Sequence, residues 1–248
     1  MKALIISRRI IKQTINDKQL IFLSFFIPVG YIFLVSIFFD ALPSTLQNQE
    51  VYAVPVSVFL VQFVTFILSV LVWVGEKRNN TLDRIYLTGI NNLSMTLGYL
   101  IGYLAIATIQ VVLIVITMIN VFSFDYSIEK IIAVTYISWL MAIASVLIGL
   151  LVSNLTSRED QVIPFVPLIL IPSFLFSGMV VTYDKLPIGA QLIGKLFPAY
   201  YANNALEYIL SVNIDYSSFY SEAYILIFYC IALLLVNALV GYIKRVLS

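Results

Sequence analysis

Histidine is absent from this 248-residue chain, and cysteine occurs once, at Cys230. The first absence removes the commonest metal ligand and the usual general base near neutral pH. The second leaves no disulfide framework. Charge is scarce as well: 11% of residues are Asp, Glu, Lys or Arg, against about 25% in a soluble domain. No nucleophile with its base, no carboxylate pair and no metal-ligand cluster can be assembled, so no catalytic residue and no cofactor is assigned. None of the ten glycines begins a GxxxxGK phosphate loop, so this sequence holds no device of that kind for burning ATP. A net charge of +1 gives no reason to expect nucleic acid.

What is present is apolar. Hydrophobic residues make up 61% of the chain, and the mean hydropathy is +1.01. Water cannot cover so much apolar surface. Runs without a single charge occupy 19–39, 51–75, 85–124, 131–157, 161–183 and 223–243. Each is long enough for a helix to cross a hydrocarbon core, which takes roughly 20 residues. The expectation is an all-α membrane protein of one domain, 1–248, with six transmembrane helices at about 20–40, 52–74, 94–121, 131–153, 161–181 and 222–243. The first 40 residues mimic a signal peptide, but the apolar run is too long, contains Pro28 and lacks a small-residue cleavage site. They read as a retained first span.

Orientation follows from the basic residues. With the amino terminus inside, eleven Lys and Arg fall on the cytoplasmic side, and three, Lys130, Lys185 and Lys195, fall outside. The positive-inside rule then puts both termini in the cytoplasm. Within 1–19, Arg8, Arg9, Lys12, Gln13 and Asn16 share one helical arc, while Leu4, Ile6, Ile10, Ile11 and Ile15 fall mostly on the other. That pattern predicts an interfacial helix; a frayed basic tail is the alternative.

Two segments outside the spans stand out. Between spans two and three, residues 76–90 hold five charges from Glu76 to Arg84. Asn80 can cap a short helix there, Asp83 complements its dipole and Gly89 closes it. Leu82, Ile85 and Tyr86 form an apolar ridge at helical spacing, suited to a groove in a partner protein or to resting on the membrane. Between spans five and six, 182–218 carries two amphipathic pieces opened by Pro187 and Pro198. They predict a hairpin dipping into the outer leaflet; a plain extracellular cap is the alternative.

No span holds a charge at its middle, which counts against ion-coupled transport. Span two does place Gln62, Thr65 and Ser69 on one face beside Phe66, and span three spaces Tyr103, Gln110 and Thr117 by sevens. The span-two residues are the candidates for lining a route; the competing use of such groups is bonding between helices, worth about 1 kcal/mol. The pair Gly98 and Gly102, and the series Ser138, Ala142, Ser145 and Gly149, permit close helix packing. Pro164, Pro167 and Pro172 make span five a candidate hinge, and they join the span-two residues as candidates for lining the route.

The stretch GEKRNNTLDRIYLTGIN, 75–91, resembles the segment after the second span in type-2 ABC exporter permeases. That pattern runs acidic-basic-acidic, then Gly-Thr-Leu-Glu-Arg-Leu. Glu76, Thr81, Leu82, Asp83 and Arg84 stand in corresponding places, with Asn80 for the Gly, Arg78 for an acid and Asp83 for Glu. FLFSGMVVTYDKLP, 174–187, and LFPAYYANNAL, 196–206, are similar to the family's Ser-Gly, Leu-Pro and Leu-Pro-x-Thr-Tyr signature, with Tyr200 in place of the Thr.

The resemblance implies a complex of two permeases, the second the same or related, with two ABC ATP-binding subunits that hold Mg-ATP. It makes 76–90 the coupling helix, with Leu82, Ile85 and Tyr86 in the ATPase cleft and Glu76, Asp83 and Arg84 orienting it. It makes the segment marked by Ser177, Gly178, Pro187 and Pro198 a pair of re-entrant outer helices. Export of an amphipathic drug, peptide or lipid-like cargo across a bacterial plasma membrane is the implied function. A non-pumping immunity or assembly protein and an ion-coupled transporter are the alternatives.

Overall fold

The computed structural model describes residues 2–41, 49–78, 81, 85, 90, 92–156, 159–211 and 214–247, and the described secondary structure is all helical. Helix α1 is Lys2–Asn16. Asp17 ends it in an extended conformation, and its carboxylate accepts from the backbone N–H groups of Gln19 and Leu20 at 2.9 and 3.2 Å, capping the next helix. That helix, α2, is the apolar Lys18–Asp40. It passes through a π-helical turn at Phe22–Phe26 just before Pro28. Three long helices follow: α3 (Gln49–Arg78), α4 (Asn92–Phe122) and α5 (Ile128–Leu155).

Beyond them come α6 (Phe165–Leu175), α7 (Ile188–Gly194), α8 (Pro198–Leu210) and α9 (Tyr216–Leu247). Among the described residues, α2, α3, α4, α5 and α9 are the five helices long and apolar enough to cross a membrane. Run 161–181 does not form one long helix. A single turn, Glu159–Val162, ends in a turn at 163–164, and α6 starts after Pro164. Proline has no N–H for the ladder and its ring clashes with the preceding turn. Eleven residues rise about 16 Å, too little to span.

Helices α3 and α5 form the centre. One core cluster joins Val54 and Val58 of α3 to Met118 of α4, Ile137 and Met141 of α5, Ala202 and Leu206 of α8, and Phe219 of α9. A second, at the opposite end, joins Ile6 and Ile10 of α1 to Trp73, Tyr99 and Leu147. Helices α8 and α1 therefore mark the two ends of the bundle. Asn237 of α9 donates to the Leu147 carbonyl of α5 at 2.9 Å and accepts from Asn154 at 3.3 Å, fastening these two helices near the α1 end.

Part of the apolar arc of α1, Ile6 and Ile10, is taken up by protein. A Cβ on Gly98 would lie 2.7 Å from the Cβ of Ile6, and one on Gly102 would lie 2.9 Å from that of Ile10. Only glycine lets the backbones approach so closely, the contact by which helices associate where lipid supplies no hydrophobic drive. Leu4, Ile5 and Ile15 remain exposed on the other side.

Candidate functional site

The end of α3 builds a charged joint. Glu76 is buried, and one guanidinium nitrogen of Arg9, Nη2, donates to both of its carboxylate oxygens, at 2.6 Å to Oε2. An isolated carboxylate at that depth would be costly, so a cation must meet it. Helix α1, held against α4 by the two glycines, supplies that cation. Arg9 belongs to the basic arc read from the sequence, but its partner 67 residues away was missed. The signal was there: a lone acid at the edge of an apolar span needs a counter-charge.

Past the joint, Thr81 and Ile85 are helical and half-buried, and Ile85 and Ile90 pack against the cluster that holds Ile6, Ile10 and Trp73. Leu82, Asp83, Arg84 and Tyr86 lie outside the described residues. A cleft of about 570 Å³ runs along Arg8, Arg9, Lys12, Gln13 and Asn16 of α1.

The polar face of α3 lies in the protein interior. Gln62, Thr65, Phe66 and Ser69 are all buried. The Gln62 amide and the Ser173 hydroxyl of α6 exchange hydrogen bonds at 3.1 and 3.2 Å. Ser145 of α5 donates to the Gln62 carbonyl at 2.8 Å. Thr65 and Ser69 bond back to carbonyls of their own helix, those of Val61 and Phe66. Gly149 of α5 faces Ser69 and Phe66, leaving no room for a side chain. This polar seam therefore fastens α3 to α5 and α6. Of the span-five prolines, Pro164 and Pro167 are exposed at the start of α6, and Pro172 is half-buried inside it. Gln110 of α4 is fully buried, with neither amide atom bonded to a described protein group.

At the other end, the segment after α6 is bound into one unit. Ser177 donates to the Phe174 carbonyl at 2.9 Å and accepts from the Met179 N–H. Gly178 takes φ +95°, which L side chains rarely adopt. Pro187 caps α7 and Pro198 opens α8. Tyr183 donates to the Gln191 carbonyl at 2.9 Å, and Gln191 returns bonds to Tyr183 and Leu186. Gly194 lets α7 pass against the Phe176 carbonyl. Helix α8 buries Ala199, Ala202, Ala205, Leu206 and Ile209 in the main core.

On its polar side, Asn203 donates to Glu207 at 3.0 Å. Neighbouring protein removes part of the water from that carboxyl, on a residue that stays exposed, and pushes it above its ordinary range, against the lowering effect of the Asn203 bond. The folded state therefore holds this proton more tightly than the unfolded chain does. Its contribution to stability is complete below the ordinary value of 4.5 and is lost as pH rises through the raised value. In detergent, the melting temperature should fall with pH across that window, and Glu207→Gln should flatten the fall; parallel pH profiles for both proteins would refute this.

Among the described residues no three His, Cys, Asp or Glu side chains come together as a metal would require. Long apolar helices around a polar seam, with a packed helical segment at one end and a charged joint at the other, define a multi-pass helical membrane domain. Within that class the chain belongs to the ABC-2 type transporter family, whose model matches residues 2–211. A curated relative, the ABC transporter G family member 20 of Dictyostelium discoideum, is 26% identical over 139 residues. The match covers 56% of this chain and spans 19% of the relative's length.

Proposed function

We propose that the chain is the permease of an ATP-driven exporter. It pairs with a second permease, the same or related, and with two ABC ATP-binding subunits that carry Mg-ATP. The observation that carries this reading is the family match over 2–211, which encloses the charged segment 76–90 between two long helices. In this reading both termini and 76–90 are cytoplasmic and the hairpin of α7 and α8 enters the outer leaflet. The segment around α6 makes a sixth, broken crossing hinged at Pro164, Pro167 and Pro172. The exposed apolar faces of α2, at Phe33, Leu34, Ile37 and Phe38, support both a lipid setting and a second permease.

Coupling residues Glu76, Thr81, Leu82, Asp83, Arg84, Ile85 and Tyr86 receive the motion of the ATPase. Glu76 passes it to α1 through Arg9. The seam at Gln62, Thr65, Phe66 and Ser69 then parts from α5 and α6 and becomes the route. An amphipathic cargo, a drug, antimicrobial peptide or lipid-like molecule, suits a path that is apolar with a few amides and hydroxyls. The plasma membrane of a bacterium is the proposed setting.

The test is co-purification with the ATPase, comparing Leu82→Asp and Ile85→Asp with the native chain. Each change should cut cargo-stimulated ATP turnover by about tenfold or more, within the usual range of coupling between sites. A complex that forms and turns over ATP at the native rate with both changes overturns the coupling assignment.

A further inference from the structure

We propose that a ridge on α5, made by Ile132 and Tyr136, seats a two-chain membrane lipid with a quaternary ammonium head group. The seat lies at the end of the bundle that carries α8, and it requires only the membrane setting, not the route proposed above. Two grooves flank this ridge and share both of its residues. One, of about 670 Å³, runs between α5 and α9 over Ile209 of α8. The other, of about 320 Å³, runs between α4 and α5 and is almost wholly apolar. Trp139 closes its deep end and donates to Thr108 at 3.0 Å. Glu129 to Tyr136, and Ile131 to Trp139, are rises of about 10 and 12 Å. A leaflet's hydrocarbon is about 15 Å deep, so each groove takes most of one acyl chain.

The chemistry at the mouth selects the head group. Glu129 is exposed in the first turn of α5 and accepts from the Tyr216 hydroxyl at 2.6 Å. That bond holds the carboxylate over the wider groove beside the exposed Tyr216 and Tyr220. A carboxylate flanked by tyrosines attracts a soft cation through charge and through the ring faces, the arrangement by which quaternary ammonium groups are recognised. Lys130, next in sequence, has its Nζ 5.8 Å from the Tyr126 ring centroid, drawn toward the α4–α5 connection. An anionic head group would meet Glu129 directly. A second copy of the chain seated here would have to strip water from the same carboxylate, an uncompensated cost.

The test uses the full chain in nanodiscs holding photoactivatable phosphatidylcholine or phosphatidylglycerol with identical tails, with labelled peptides mapped after irradiation. Labelling of the α5 and α9 peptides should favour phosphatidylcholine by about fivefold to thirtyfold, the range of partly to fully desolvated cation–π contacts. Glu129→Gln should lower the ratio severalfold, leaving only the share owed to the ring faces, without changing labelling elsewhere. Tyr216→Phe, which keeps the ring and loses only the hydroxyl bond, should lower the ratio part way. Equal labelling by the two lipids in the native chain overturns the proposal, as does a preference untouched by Glu129→Gln. Efficient disulfide formation between two chains carrying Tyr220→Cys also overturns it, because a second copy then covers the seat.

Discussion

Arg9→Glu should lower the thermal stability of the detergent-solubilised protein by about 3 kcal/mol, the low end of the cost of breaking a buried ion pair. The low end applies because the two partners differ in exposure: the Glu76 side chain is 2% exposed and that of Arg9 38%. Water screens the arginine, but it cannot reach the carboxylate left behind. Arg9→Ala should cost less than Arg9→Glu, since it orphans Glu76 without adding a second negative charge. Arg9→Lys should cost less still. Both bonds come from one nitrogen, so the planar fork that usually separates arginine from lysine is not in use here. Exchanging the charges, Arg9→Glu with Glu76→Arg, should recover part of the loss. A melt of Arg9→Glu coincident with the native one would show that the joint contributes nothing.

Gly149→Leu should be as damaging, at about 3 kcal/mol, the upper part of the range for overpacking a filled interior. A Cβ here already meets the Ser69 hydroxyl, and it comes within 3.1 Å of the Ser69 Cβ and 3.2 Å of the Phe66 carbonyl. The longer side chain has to push α3 off α5, which also strains the bond from Ser145 to Gln62. Gly149→Ala is the diagnostic companion. Its main obstacle is a single hydroxyl, so Ser69→Ala in the same protein should restore at least half of what Gly149→Ala loses. Such strong coupling is expected of residues in contact and not of distant ones. Additive losses in the double variant would mean that the two helices do not meet at this point.

The long helices were legible because lipid imposes a simple test: each requires an unbroken apolar run, and charge marks its ends. Runs 51–75, 85–124, 131–157 and 223–243 meet that test and correspond to helices α3, α4, α5 and α9. Run 161–183 meets it equally well by composition, yet α6 has eleven residues. Hydropathy counts side chains, whereas the helix depends on backbone donors, and Pro164 removes one where the ladder would have continued. Glycines Gly98 and Gly102 were recognisable as a close-packing pair, but their partner was not. A small-residue pattern names one surface of a contact, and α1 was the other.

The polar residues of α3 show the same limit. Spacing put Gln62, Thr65 and Ser69 on one face; it could not tell whether that face met cargo or the serines of α5 and α6. The Arg9–Glu76 joint joins residues far apart in sequence, and no periodicity crosses such a distance. Tyr86 and its neighbours Leu82, Asp83 and Arg84 rest on motif alone.

The burial of α8 has a consequence for how the molecule is made. Its core-facing residues, Ala202, Leu206 and Ile209, share a core with α3, α5 and α9, against which α8 packs, yet on the ribosome α8 emerges before α9. Until α9 has left the tunnel and been released sideways into lipid, α8 lacks one wall of its socket. The segment therefore waits for a helix made after it: α9 seats the α8 that precedes it in the chain.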